Sequence, residues 1–199
     1  MKKIILGFIT VCLSFCTLAF VGCGSNGKTD EEQFNEAKQQ FNNYTVEVKI
    51  GDLANTSLMI DDGNAKYTVS NDYSSATMYF KTENGTIYEF DEDSESWDKT
   101  YYETLEEAVD DRAEYESCFS AFTALYYDDL TKEDDYFSMT DNALQSFSSL
   151  IGHEMSSFRL NMENSRFASA TAIVEFSGTR LEINYTFKNY GSTTVELPA

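Results

Sequence analysis

The sequence predicts an α+β domain, a strongly curved antiparallel sheet of about ten strands covered by two or three α-helices. Three observations lead there. After residue 42 much of the chain alternates apolar and polar residues, the pattern of strands with one buried face. Gly- and Asn-containing turns suited to hairpins separate the alternating runs. Two stretches instead carry capping boxes followed by apolar residues at three- and four-residue intervals, the signature of amphipathic helices.

In chain order, Thr29-Asp30-Glu31-Glu32 is a capping box that leads into Phe34, Ala37 and Phe41. Asn42-Asn43 closes this first helix. Val46, Val48 and Ile50 then alternate with Glu47 and Lys49, and further strand-like runs cover 57–60, 65–70, 75–82, 86–91 and 97–102. Asp62-Gly63-Asn64, Asn71-Asp72 and Asn84-Gly85 link them, because Asn and Gly accept positive φ. Strands in series with such links form an antiparallel meander. A second capping box, Thr104-Leu105-Glu106-Glu107, opens one long helix over 104–127, with Leu105, Ala108, Val109, Tyr115, Phe119, Phe122 and Tyr126 on its apolar face. Thr140 is placed as the N-cap of another helix that ends near Gly152. Strands return around Phe158–Met162 and Ala172–Phe176. In the next, Leu181, Ile183, Tyr185 and Phe187 alternate without error against Glu182, Asn184, Thr186 and Lys188. A final strand over 193–197 precedes the lone proline, Pro198. Sheets with one apolar face need a cover, and the two mid-chain helices are placed to supply it.

Composition narrows the function. The 199 residues carry 14 Lys+Arg against 34 Asp+Glu, a formal net charge of −20. Phosphate contacts need clustered Lys and Arg, so nucleic acid is excluded as a partner. Hydrophobic residues at 42%, with 15 Phe and 13 Tyr, suffice for a packed core. His153 is the single histidine, and metal or triad chemistry would rest on it alone. Cys118 lies beside the apolar helical face, where an inert buried thiol is expected. The acidic run Asp91-Glu92-Asp93-Ser94-Glu95-Ser96 departs from the EF-hand spacing and reads as a solvated hairpin turn. G-x-S-x-G, P-loop and dinucleotide fingerprints are absent, so no catalytic residue, metal or cofactor is expected.

The first residues are a targeting signal. Lys2 and Lys3 precede an uncharged apolar run over 4–21, which ends in Phe20-Val21-Gly22-Cys23-Gly24-Ser25-Asn26. This ending resembles the bacterial lipoprotein lipobox, with Phe20 where leucine is usual. The resemblance implies that residues 1–22 are a signal peptide, that the thiol of Cys23 receives a diacylglyceryl group, and that the product is extracytoplasmic and lipid-anchored to the cell membrane. Residues 23–29 would then be a lipidated cysteine and flexible tether, and 30–199 a single domain. Signal removal takes away Lys2 and Lys3 and no acid, so the mature chain is more acidic than the precursor. Anionic headgroups repel such a body, which leaves the acyl chains to hold it.

The order of elements resembles the LolA/LolB-type half-barrel shared by lipoproteins of the LppX and LprG type. The hairpin Asn84-Gly85-Thr86-Ile87-Tyr88-Glu89-Phe90 leading to Trp97-Asp98-Lys99 is similar to one that recurs in such lipoproteins, as is the ending Phe187-Lys188-Asn189-Tyr190-Gly191. The resemblance implies an incomplete β-barrel with an apolar cavity for acyl chains. Val48, Phe80, Phe90, Phe119, Phe122, Leu181, Ile183, Tyr185 and Phe187 are the inward positions expected to line it. The expected function is binding of a lipid or other hydrophobic ligand, gated by the 104–127 helix. The alternative is a non-enzymatic adaptor that meets another envelope protein through an acidic surface. A void of a few hundred Å³ favours the first, and a filled interior favours the second. Lipidation at Cys23 is checked by intact mass of the detergent-extracted protein: the wild type is expected to lack residues 1–22 and carry acyl mass, and Cys23→Ser to carry none.

Overall fold

The computed structural model describes residues 27–112, 119–176 and 178–199. The lipobox and Cys23 lie outside them. Residues Glu31–Ala199 form one compact unit. Helix α1 (Asp30–Gln39) precedes strands β1 (Asn43–Ile50), β2 (Ala54–Asp61), β3 (Asn64–Ser70), β4 (Ser75–Glu83), β5 (Thr86–Asp91) and β6 (Ser96–Lys99). Helices α2 (Leu105–Arg112) and α3 (Phe119–Ala124) follow, then strands β7 (Leu130–Lys132) and β8 (Phe137–Met139), helix α4 (Asp141–Ile151), and strands β9 (Glu154–Glu163), β10 (Arg166–Phe176) and β11 (Thr179–Lys188).

All the strands belong to one antiparallel sheet in the order β6-β5-β4-β3-β2-β1-β11-β10-β9-β8-β7. Its end strands do not meet, so the α+β unit is an open half-barrel. Local turn chemistry sets most of the pairing. Asn84 and Gly85, at φ 52° and 73°, supply the two left-handed residues that a tight β4–β5 hairpin needs. The pairing most distant in the chain is that of β1 with β11, from Thr45↔Lys188 to Ile50↔Ile183, which joins the two halves of the sheet.

Period-two alternation gives this sheet one apolar face, here called inner. Tyr44, Val46, Val48 and Ile50 of β1 share it with Leu58, Tyr67, Phe80, Leu160, Ala172 and Tyr185, all buried. The helices cover it. Phe122 of α3 sets its ring 4.9 Å from Tyr185, 5.0 Å from Phe187 and 5.8 Å from Phe158. Phe41, just after α1, lies 4.5 Å from Tyr44 and 5.1 Å from Phe167. Thr140 caps α4 by accepting from the Ala143 amide, and Gly152 at φ 73° ends it, as the sequence predicts.

The structure corrects three expectations. The 104–127 segment is not one helix. The Asp110 carboxylate accepts from the amides of Phe119 and Ser120 at 2.9 and 2.7 Å. In a continuous helix residues nine apart stand about 13 Å from each other, so Asp110 and Phe119 do not belong to one helix. The strand expected over 193–197 is instead an irregular tail. Its Thr193 amide donates to Asn43 Oδ1 at 2.9 Å and its Val195 amide to Asp61 Oδ2 at 3.2 Å. Side chains of β1 and β2 thus satisfy the tail in place of a ladder. The short β7–β8 hairpin was not expected, because three-residue strands show too little alternation to be read. Phe122→Ala removes a ring that joins the cover to two strands, β9 and β11; urea unfolding should show a loss of about 3–5 kcal/mol.

Candidate functional site

The region with the makings of a binding site is the seam between the helices and the inner face. Val48, Phe80, Phe119, Phe122, Ile183, Tyr185 and Phe187 are buried on that side of the molecule. Leu181 continues their face of β11 but is only partly buried. Phe90 departs from expectation. In β5 the buried inner position is Ile87, so Phe90 points to the opposite face, where it pairs with Trp97 at a ring distance of 5.2 Å. It therefore lines no inner cavity.

Two charged clips hold α3. Asp110 caps its N-terminus, as described above. At its other end, the Lys38 ammonium from α1 donates to the carbonyls of Thr123 and Leu125 at 2.7 and 2.6 Å. Helix ends leave amides and carbonyls without intrahelical partners, and a six-residue helix has little else to stabilise it. Burial pushes the Lys38 pKa down, while the neighbouring Asp129 charge works against that shift. Helix α2 is pinned separately: Arg112 Nε lies 3.0 Å from Glu89 Oε2 on β5.

Beneath the cover, aromatic rings and short side chains fill the space. Between α3, α4 and the sheet remains a void of about 10 Å³, lined by Ala121, Phe122, Met139, Phe147, Met155, Phe158, Ala172 and Tyr185. That is far below the few hundred Å³ of a ligand pocket, so an acyl chain has no room there in this conformation. The lining suits rearrangement, since Met139 and Met155 are unbranched and repack at low cost.

Two polar features interrupt the apolar interior. The buried Tyr44 hydroxyl donates to Glu106 Oε1 at 3.0 Å. Burial raises the Glu106 pKa, the nearby Asp110 and Glu107 charges add to the rise, and hydrogen bonds oppose it. Burial likewise drives the Tyr44 pKa well up. The second feature is the Thr56 hydroxyl, buried on the inner side of β2 with no hydrogen-bond partner. Such a group costs roughly 1–3 kcal/mol.

The remaining sequence candidates take structural roles. Asp91 folds back in its turn, its Oδ1 accepting from the Asp93 amide at 2.8 Å. His153 lies beside the Phe176 ring at 4.8 Å. Cys118 lies outside the described residues. Among the described residues no group of three or more His, Cys, Asp or Glu side chains is placed to hold a metal ion. Sequence reasoning missed Lys38, Asp110 and the Tyr44–Glu106 pair. Only Glu106 left a signal, as an acid among the apolar positions of α2.

Comparison with solved structures adds a likeness in fold. The chain is similar to the crystal structure of LprF from Mycobacterium bovis, at a TM-score of 0.34 and 10% identity, covering 85% of this chain and 96% of that one. No family model and no curated protein matches the chain.

Glu106 generates a pH prediction. A carboxyl whose folded pKa is raised leaves stability intact below its unfolded pKa, and stability falls as pH climbs through the folded value. Glu106→Gln keeps an acceptor for Tyr44 and carries no charge. Thermal melts should show the variant gaining stability over wild type at pH 7, with the gain vanishing near pH 4.

Proposed function

We propose that the chain is an extracytoplasmic lipoprotein, anchored to the membrane through Cys23, whose domain binds a hydrophobic ligand between its helical cover and the inner face of the sheet. No covalent chemistry is involved. One observation carries this reading: a short helix, α3, is held over a continuous apolar face by clips at its two ends. Releasing either clip frees a lid without disturbing a strand. The ligand then takes the place of Phe122 and its neighbours against Tyr185, Phe187 and Phe158. Binding is therefore coupled to opening, and apparent affinity scales with the fraction of open molecules.

A second reading, the envelope adaptor, draws on a different observation. Among the described residues, the space between α3, α4 and the sheet is reduced to a void of about 10 Å³. A domain of this kind would act through its surface, and its net charge of −20 would make association sensitive to salt.

The two readings separate by titrating residues 24–199 with a fluorescent polyene fatty acid. Saturable binding is expected. Lys38→Met removes one clip, worth roughly 1–2 kcal/mol, and should tighten apparent binding about tenfold. Absence of binding by both proteins would leave the adaptor.

A further inference from the structure

The face of the sheet turned away from the helices carries an arrangement that ligand binding beneath the cover does not use. Pairing sets it out in rows. Lys66 of β3 stands opposite Tyr79 of β4, and Phe90 of β5 opposite Trp97 of β6. In the adjoining row Lys81 stands opposite Tyr88, and Tyr88 opposite Lys99. The Lys81 ammonium lies 4.6 Å from the Trp97 ring and 5.8 Å from the Tyr88 ring, and the Lys66 ammonium 5.6 Å from Tyr79. Four aromatic rings and three lysines thus share one stretch of surface on a protein of formal net charge −20. One acid of that surface, Glu83, is held by Lys81 at 2.9 Å.

Across β3 the platform runs into an open trough of about 490 Å³. Asn55, Ser57, Thr68, Ser70, Asn184 and Thr186 line it, with one acid and one base, Glu47 and Lys49. Glu47 is already paired with Lys188, and Lys49 with Asp52 at 3.7 Å. The trough is therefore a surface of hydroxyls and amides, which both donate and accept hydrogen bonds.

We propose that this outer face binds an acidic polysaccharide. A pyranose ring has a flat C–H face and an equator of hydroxyls. The first matches half-buried aromatic rings on a sheet, and the second matches a trough of Ser, Thr and Asn side chains. Carboxylate or phosphate groups along the polymer meet Lys66, Lys81 and Lys99, and at the first two take over the contacts that the lysines now make with the rings. Strands stand about 4.8 Å apart, so trough and platform together span several sugar units. Charge alone does not select this occupant. The acidic remainder of the molecule repels a bare polyanion, and stacking must add to the lysine contacts before binding is favourable.

Trp97 is the single tryptophan, so its emission reads the platform directly. The full-length chain, solubilised in detergent, is titrated with polygalacturonate, with dextran as the neutral glycan and poly-L-glutamate as the anion without rings. A saturable change in Trp97 emission is expected with polygalacturonate only. Lys81→Gln and Lys99→Gln should each weaken it at least fivefold, whereas Lys132→Gln, on the far edge of the sheet, should leave it unchanged. No response to polygalacturonate, or an equal response to dextran or poly-L-glutamate, overturns the proposal. Fatty-acid binding under the cover is independent of these outcomes, because it uses the opposite face.

Discussion

The β1–β11 ladder is the constraint on which the rest of the unit depends. Every other pairing joins strands consecutive in the chain, as hairpins except for β8 and β9, which are linked through α4. The six residue pairs between Thr45↔Lys188 and Ile50↔Ile183 form the one strand ladder that brings the two ends of the domain together. Closing so long a loop has a large entropic cost, and the return comes only when the apolar faces of both meanders form one surface. The placing of Val48 beside Tyr185 in that ladder explains why a six-residue helix can bridge the halves. Phe122 meets rings of β9 and β11, and Phe119 lies 6.0 Å from the Tyr67 ring of β3, so α3 touches both meanders.

The cover shows a second economy. Neither α2 nor α3 is long enough to be stable through its own hydrogen bonds. Each is held by tertiary partners: Asp110 and Lys38 at the ends of α3, and Arg112 with Glu89 for α2. Charged hydrogen bonds of this sort fix position without adding apolar area. A lid held in this way is well placed and yet separable from the sheet, the combination that opening to admit a ligand requires. The buried Glu106 adds to the same picture, since it stores an unfavourable charge at the root of the cover.

Much of the architecture was legible because the signals were local. Asn84-Gly85 marks a hairpin wherever it stands between alternating runs, and Thr140 with Gly152 brackets a helix from both ends. The perfect alternation of β11 gave its inner face residue by residue. What escaped depends on partners distant in the chain. Asp110 reads as one more helix-surface acid until the fold places the Phe119 amide on it. Phe90 alternates as well as any strand residue, and only the register that puts Ile87 inward turns it outward onto Trp97. The C-terminal tail has strand-like residues, but Asn43 and Asp61 occupy its amides before a ladder can form. The size of the void was beyond sequence altogether, because it depends on how rings from four elements, α3, α4, β9 and β11, interlock.

The ends of the sheet carry a consequence of their own. An open half-barrel must present two strands with unpaired backbone groups, and such strands are templates for other chains. Here they are β6, four residues with Asp98 and Lys99, and β7, three residues ending in Lys132. Both are too short and too charged to nucleate growth. Copies can be crowded side by side without one ladder running on into the next, so the opening that the half-barrel keeps does not become a route to aggregation.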